Sequence, residues 1–147
     1  MTLDYNEPLP KVVERLKGEH RELVPKLRRI EQLAESGDMK VVITELKVIK
    51  PLLLRHAVEE EARLMRPIMW EYKSKAEDSI IVLRYHRELV DFFDHKLPNL
   101  ATLPEQMARR EVGIFVKELR KHHLEEERTV FPLALKADSK YEKRSQE

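Results

Sequence analysis

Apolar residues recur along this chain in alternating steps of three and four, the spacing of a helix that buries one stripe. The first series reads Val13, Leu16, His20, Leu23, Leu27, Ile30, Ala34, and the second Val42, Leu46, Ile49, Leu53, His56, Glu60. The third reads Val82, His86, Leu89, Phe93, and the fourth Ala108, Val112, Phe115, Leu119, His122, Glu126, Leu133. Pro8 and Pro10 suit the opening of the first helix, which runs to about Glu35. Ser36-Gly37-Asp38 reads as a stop and a start, with Gly as C-cap and Asp as N-cap. A polar linker around Lys73 to Asp78 precedes the third helix, with Asp78 or Ser79 as its cap. Pro98 ends that helix, and Thr102-Leu103-Pro104-Glu105 reads as a capping box for the fourth. Pro25 and Pro51 are expected to kink the first two helices. Short connections favour antiparallel neighbours. The expected fold is all-α, an antiparallel up-down-up-down four-helix bundle. One domain over residues 1–147 is expected, with its core at about 10–136 and a frayed polar tail at 139–147.

The pattern holds an internal repeat, which makes the bundle two copies of one helical hairpin. His56-Ala57-Val58-Glu59-Glu60-Glu61 is matched 66 positions later by His122 to Glu127, with the same His and the same three Glu. His20-Arg21-Glu22-Leu23-Val24 recurs letter for letter at the same offset as His86 to Val90. Four of the six His therefore occupy equivalent places, 36 residues apart within each hairpin. With a turn midway, each lies roughly 25 Å from the hairpin end at ~1.5 Å per residue. All four converge at one level.

Composition narrows the chemistry. The 147 residues suffice for one domain with a real core. Charged residues make up 37%, yet the formal net charge is +1, so nothing favours a nucleic-acid or membrane-surface partner. There is no Cys, which removes thiolate metal sites, disulfides and Cys nucleophiles. No apolar run has the length of a membrane span or signal-peptide core, and a cytoplasmic location is expected. No nucleophile or cofactor fingerprint marks a conventional enzyme.

The stripes place His20, His56, Glu60, His86, His122 and Glu126 together inside the bundle. An imidazole and a carboxylate four residues apart share one helix face. Burying such groups costs free energy unless a cation satisfies them. Six donors exceed a tetrahedral zinc site, and mixed imidazole and carboxylate ligands suit iron or manganese. Two ions bridged by Glu60 and Glu126 would each take two imidazoles, in a pairing the spacing leaves open. Each ion would retain positions for an oxo or hydroxo bridge and for a ligand such as O₂. The Glu-x-x-His order of ferritin-like bundles is absent, since Lys17, Leu53, Leu83 and Leu119 precede the four His by three. His123 lies about 100° around the helix and is expected to be peripheral, although His123 with Glu127 is a second possible register. His95 is expected at the surface. Tyr85, Phe92 and Phe93 read as packing, and Glu59, Glu61, Glu125 and Glu127 as a solvated face or outer hydrogen-bonding partners.

A lone His, then His-x-x-x-Glu, twice over, followed by Glu126-Glu127-Arg128-Thr129-Val130-Phe131-Pro132, resembles the hemerythrin-like, or HHE cation-binding, family. The resemblance spans about Pro10 to Leu135. It implies a non-haem di-iron centre held by His20, His56, Glu60, His86, His122 and Glu126, with manganese or zinc the lesser options. Oxygen-carrying hemerythrins have one more His, a turn from the third-helix ligand. Val82 and Val90 stand at those places here, which sets the chain with the broader branch. The implied function is binding of, or reaction with, O₂ or nitric oxide. Iron storage, delivery or iron-centre repair is the alternative, and a helical interaction module with a structural metal the third reading. A homodimer is left open.

Overall fold

The computed structural model describes residues 3–72 and 76–145, with side chains outside the description at 76–81 and 141–145. Helices are the only regular elements among the described residues. Helix α1 (Leu9–Ser36) begins after Pro8 and runs on through Pro25. Helix α2 (Met39–Glu60) continues through Pro51, passes through a π-helical turn at Glu61–Met65 and resumes as α3 (Arg66–Glu71). Helix α4 (Ala76–Asp91) gives way to a π turn at Phe92–Lys96 and a 3₁₀ segment at Leu97–Thr102. Helix α5 (Glu105–Glu125) passes through a π turn at Glu126–Val130 into α6 (Phe131–Ser145). These segments form four rods.

The first connection has a clear local cause. Gly37 N–H donates to Leu33 O at 2.7 Å. A Cβ on Gly37 would sit 2.7 Å from the Leu33 side chain and 3.0 Å from its backbone, so only glycine permits so tight an exit. Asp38 Oδ1 then accepts from Lys40 N at 2.9 Å and caps α2.

Several boundaries differ from the sequence reading. Thr102 does not cap α5: its hydroxyl donates to Asn99 O at 2.8 Å, closing the 3₁₀ segment, and α5 starts after Pro104 without a side-chain cap. Glu105 instead pairs with Arg109 at 2.7 Å. Pro98 falls in the first turn of the 3₁₀ segment, where a missing N–H costs nothing. The α-helical geometry has already ended at Asp91. Helix α4 is formed at Ala76, so Asp78 and Ser79 lie within it, while their capping chemistry and the linker residues 73–75 fall outside the described residues. The stretch expected to fray stays helical to Ser145. Phe115 is half-buried and stacks flat on Phe92 at 3.9 Å, while Val116 takes the fully buried place beside it.

Two apolar clusters form. One gathers Leu23 to Ala34, Val42 to Ala57, Leu89 to Leu100 and Ala108 to Leu119. The other gathers Leu9 to Leu16, Leu64 to Ile68, Val82 and Val130 to Ala134. Between them in sequence, on every rod, lie the buried polar residues: Glu19 and His20, His56, Glu59 and Glu60, His86, His122 and Glu126. Cross-links join rising positions on α1 to falling ones on α2, as Arg15 with Glu59, His20 with His56 and Arg29 with Glu45. Arg109 reaches Ala34 O and Arg120 reaches Glu31, tying α5 to α1.

Candidate metal centre

Three rods bring their donors to one point. His20 Nε2 and His56 Nε2 face each other at 3.0 Å. Glu60 Oε1 lies against His56 Nε2 and 3.8 Å from His20 Nε2. Glu126 Oε2 is 3.4 Å from His20 Nε2 and 3.9 Å from His56 Nε2. The donor atoms of His20, His56, Glu60 and Glu126 all lie within 4.8 Å of one another, and all four residues are buried. His86 joins through Glu60, with its Nε2 3.1 Å from Glu60 Oε2.

The outer nitrogens fix which atoms face inward. His56 Nδ1–H donates to Glu19 Oε1 at 2.8 Å, and Glu19 Oε2 accepts from Arg55 at 2.9 Å. His20 Nδ1–H donates to Glu127 Oε1 at 3.1 Å, and His86 Nδ1–H to Glu61 Oε1 at 3.0 Å. A proton on Nδ1 leaves Nε2 with a lone pair. Carboxylates placed behind histidines in this way are what metal-binding imidazoles require. The lone pairs of His20 and His56 therefore point at each other and at two carboxylates. That arrangement is unfavourable unless a cation sits among them. Glu60 Oε1 and Glu126 Oε2 are buried with no hydrogen-bond partner, as is His122 Nδ1. The donors fit a metal ion.

Protonation shows the same demand for positive charge. Burial alone would lower His20 and His86, but the carboxylates beside them, Glu126 and Glu60 for His20 and Glu60 and Glu61 for His86, lift both to about 9. His56 is held well above its ordinary value against burial by Glu60 and Glu126. Burial and the facing charge of Glu60 raise Glu126 to about 7. The buried carboxylates hold protons on the imidazoles beside them. His122 goes the other way, down to about 4, through burial and the positive charges of Lys121 and His86.

His122 sits apart from the four-donor cluster, its ring against Tyr85. It lines a cavity of about 140 Å³ with His56, His86 and Glu126, whose remaining wall includes Leu53, Leu89, Phe92, Phe115 and Leu119. His123 is not peripheral. Its ring stacks on His20 with centroids 4.0 Å apart, and it forms a second donor group with His20 and His56. Consecutive residues differ by about 100°, and α5 straddles the polar layer so that both His122 and His123 reach inward on either side of the Glu126 direction. His95 is exposed, 3.8 Å from Asp91. Glu59 is buried and held by Arg15 at 2.8 Å. Glu19 was not singled out from the sequence. Its signal is faint: a lone acid next to His20, one place off the stripe, with no copy in the second half.

Two of the three π turns, Glu61–Met65 and Glu126–Val130, belong to this site. Arg66 N–H reaches back five residues to Glu61 O, and Phe131 N–H five residues to Glu126 O. Each copy of the repeat thus leaves α geometry at its His-x-x-x-Glu word. Such insertions re-aim the side chains that follow and recur at functional sites.

Buried imidazoles braced by carboxylates on a helical frame define a metal-binding helical protein. Residues 3–68 match the family model of the hemerythrin HHE cation binding domain, so this part of the chain carries that family's signature. No curated protein and no solved structure matches the chain.

Proposed function

We propose that the protein is a non-haem di-iron protein that binds or reacts with O₂ or nitric oxide. The ligands in this reading are His20, His56, Glu60, His86, His122 and Glu126, with the two Glu as bridges. The rods then form an antiparallel up-down-up-down bundle of two repeated hairpins, acting inside the cytoplasm. The observation that carries the reading is the set of buried lone pairs on His20, His56, Glu60 and Glu126, oriented by Glu19 and Glu127. Iron bound there would supply open coordination positions and a change of oxidation state. The chain's own residues do the rest. Glu19, Glu61 and Glu127 hold three imidazole rings with Nε2 inward. Leu53, Leu89, Phe92 and Leu119 give a small neutral molecule an apolar surface in the cavity beside His86 and His122, which Glu88, Lys96, Glu111 and Glu118 also line. Among the described residues no helix is long and apolar enough to cross a membrane.

The reading is tested with protein reduced under anaerobic conditions. Exposure to air, or azide added after oxidation, is expected to produce new charge-transfer absorption. A spectrum that stays silent under both treatments contradicts an open iron position and leaves a purely structural metal.

A further inference from the structure

The repeat offset of 66 residues maps contacts as well as letters. His20 with Glu127 becomes His86 with Glu61, and both contacts are present, at 3.1 and 3.0 Å. Each half thus braces the lone His of the other. The second pair of contacts breaks the rule. His56 with Glu19, at 2.8 Å, maps onto His122 with residue 85, which is Tyr85. A phenol ring lies against His122 where a carboxylate would be needed, and His122 Nδ1 is buried with no hydrogen-bond partner. Arg55, which donates to Glu19, maps onto Lys121, a cation with no carboxylate at position 85 to hold.

We infer that the two halves hold metal unequally, with a tight position at His20 and His56 and a weak, exchangeable one at His86 and His122, and that the Glu19/Tyr85 difference sets the gap. The inference rests on the proposed metal reading. An imidazole whose Nδ1–H is held by a carboxylate is fixed in ring orientation and tautomer and is more basic at Nε2. His56 has that support and His122 lacks it. Losing such a partner typically weakens metal binding by about 10–100-fold. Glu19 and Tyr85 act here as positioning residues, and neither is a proposed ligand. A weak second position suits a site whose metal or exogenous ligand must come and go.

The test is an anaerobic titration of metal-free protein with Fe(II), counting bound iron at each step. The wild type is expected to fill in two stages, the second about 10-fold or more weaker. Tyr85→Glu should draw the second stage towards the first. Tyr85→Phe should leave both stages in place, because the phenol oxygen has no part in them. Glu19→Gln should loosen the first stage by a similar factor, and it keeps the inference testable if Tyr85→Glu does not fold, with helicity followed in every variant. Two stages of equal strength in the wild type overturn the inference and leave the di-iron reading standing. So does a Glu19→Gln protein with an unchanged first stage. Loss of an ion in Tyr85→Phe would make Tyr85 itself a ligand and also overturn it. A wild type that takes up no iron overturns the di-iron reading, and this inference with it.

Discussion

At the level of single residues, the site is a conflict of charges that a cation resolves. Glu60 and Glu126 are buried side by side, and Glu126 is raised to about 7 by burial and by Glu60. Glu126→Gln is expected to abolish or sharply weaken iron binding while raising the melting temperature of the metal-free protein at pH 8, where two facing charges become one. Unchanged iron content would remove Glu126 from the centre. The same charges set a pH dependence. His20 and His86 have folded values of about 9 against an ordinary 6.5, so their contribution to stability is complete below 6.5 and is lost as pH rises through about 9. His56 works in the same direction. The metal-free protein should therefore melt at a lower temperature at pH 9 than at pH 7. Iron requires unprotonated ligands, so loading should erase or reverse that trend. A metal-free protein that gains stability between pH 7 and 9 would contradict the arrangement. The inward-facing His and Glu were legible in the sequence because the repeat stated them twice. Glu19 is not, because a single acid beside a His has no pattern to distinguish it, and His123 is not peripheral because a rotation of 100° still reaches a cluster that lies across the helix's path.

At the level of helical elements, some local signals decide the structure and others are overridden, for physical reasons. The Gly37-Asp38 junction behaves as its residues dictate. Asp38→Ala is expected to cost about 1 kcal/mol in chemical denaturation, the usual worth of an N-cap. Thr102→Ala should cost well under that, since its hydroxyl closes a short exposed turn and caps nothing. Equal losses would restore the capping box. The box misled because Thr102 and Glu105 are correctly spaced, but Pro104 fixes where α5 begins. The three π turns were not legible at all. A π turn adds one residue and shifts the stripe beyond it, but Leu64 and Ile68, like Val130 and Ala134, then follow in steps of four that an uninterrupted helix also gives. Pro25 and Pro51 are tolerated inside α1 and α2, where buried stripes hold both sides of the lost hydrogen bond in place. A buried position between them gives the scale of that packing. Leu27→Ala should cost about 2–5 kcal/mol, measured at fixed metal content.

At the level of the whole molecule, two apolar clusters enclose one polar layer, and that layer takes a residue from every rod. The duplication explains how so costly a layer could be specified. One hairpin supplies a lone His and a His-x-x-x-Glu word, and pairing two hairpins brings the partial sites together with cross-braces between the halves. The layer also ties folding to metal. Removing the ion should leave facing lone pairs and charges at the centre, so a chelator is expected to lower the melting temperature. The most direct measurement is the iron content of the purified wild-type chain, grown in iron and handled without added metal, beside a His56→Ala, Glu60→Ala variant. About two iron per wild-type chain, with loss of most of it in the variant, is the expected result. A chain that carries no iron, or a variant that retains all of it, would contradict a centre built on this layer.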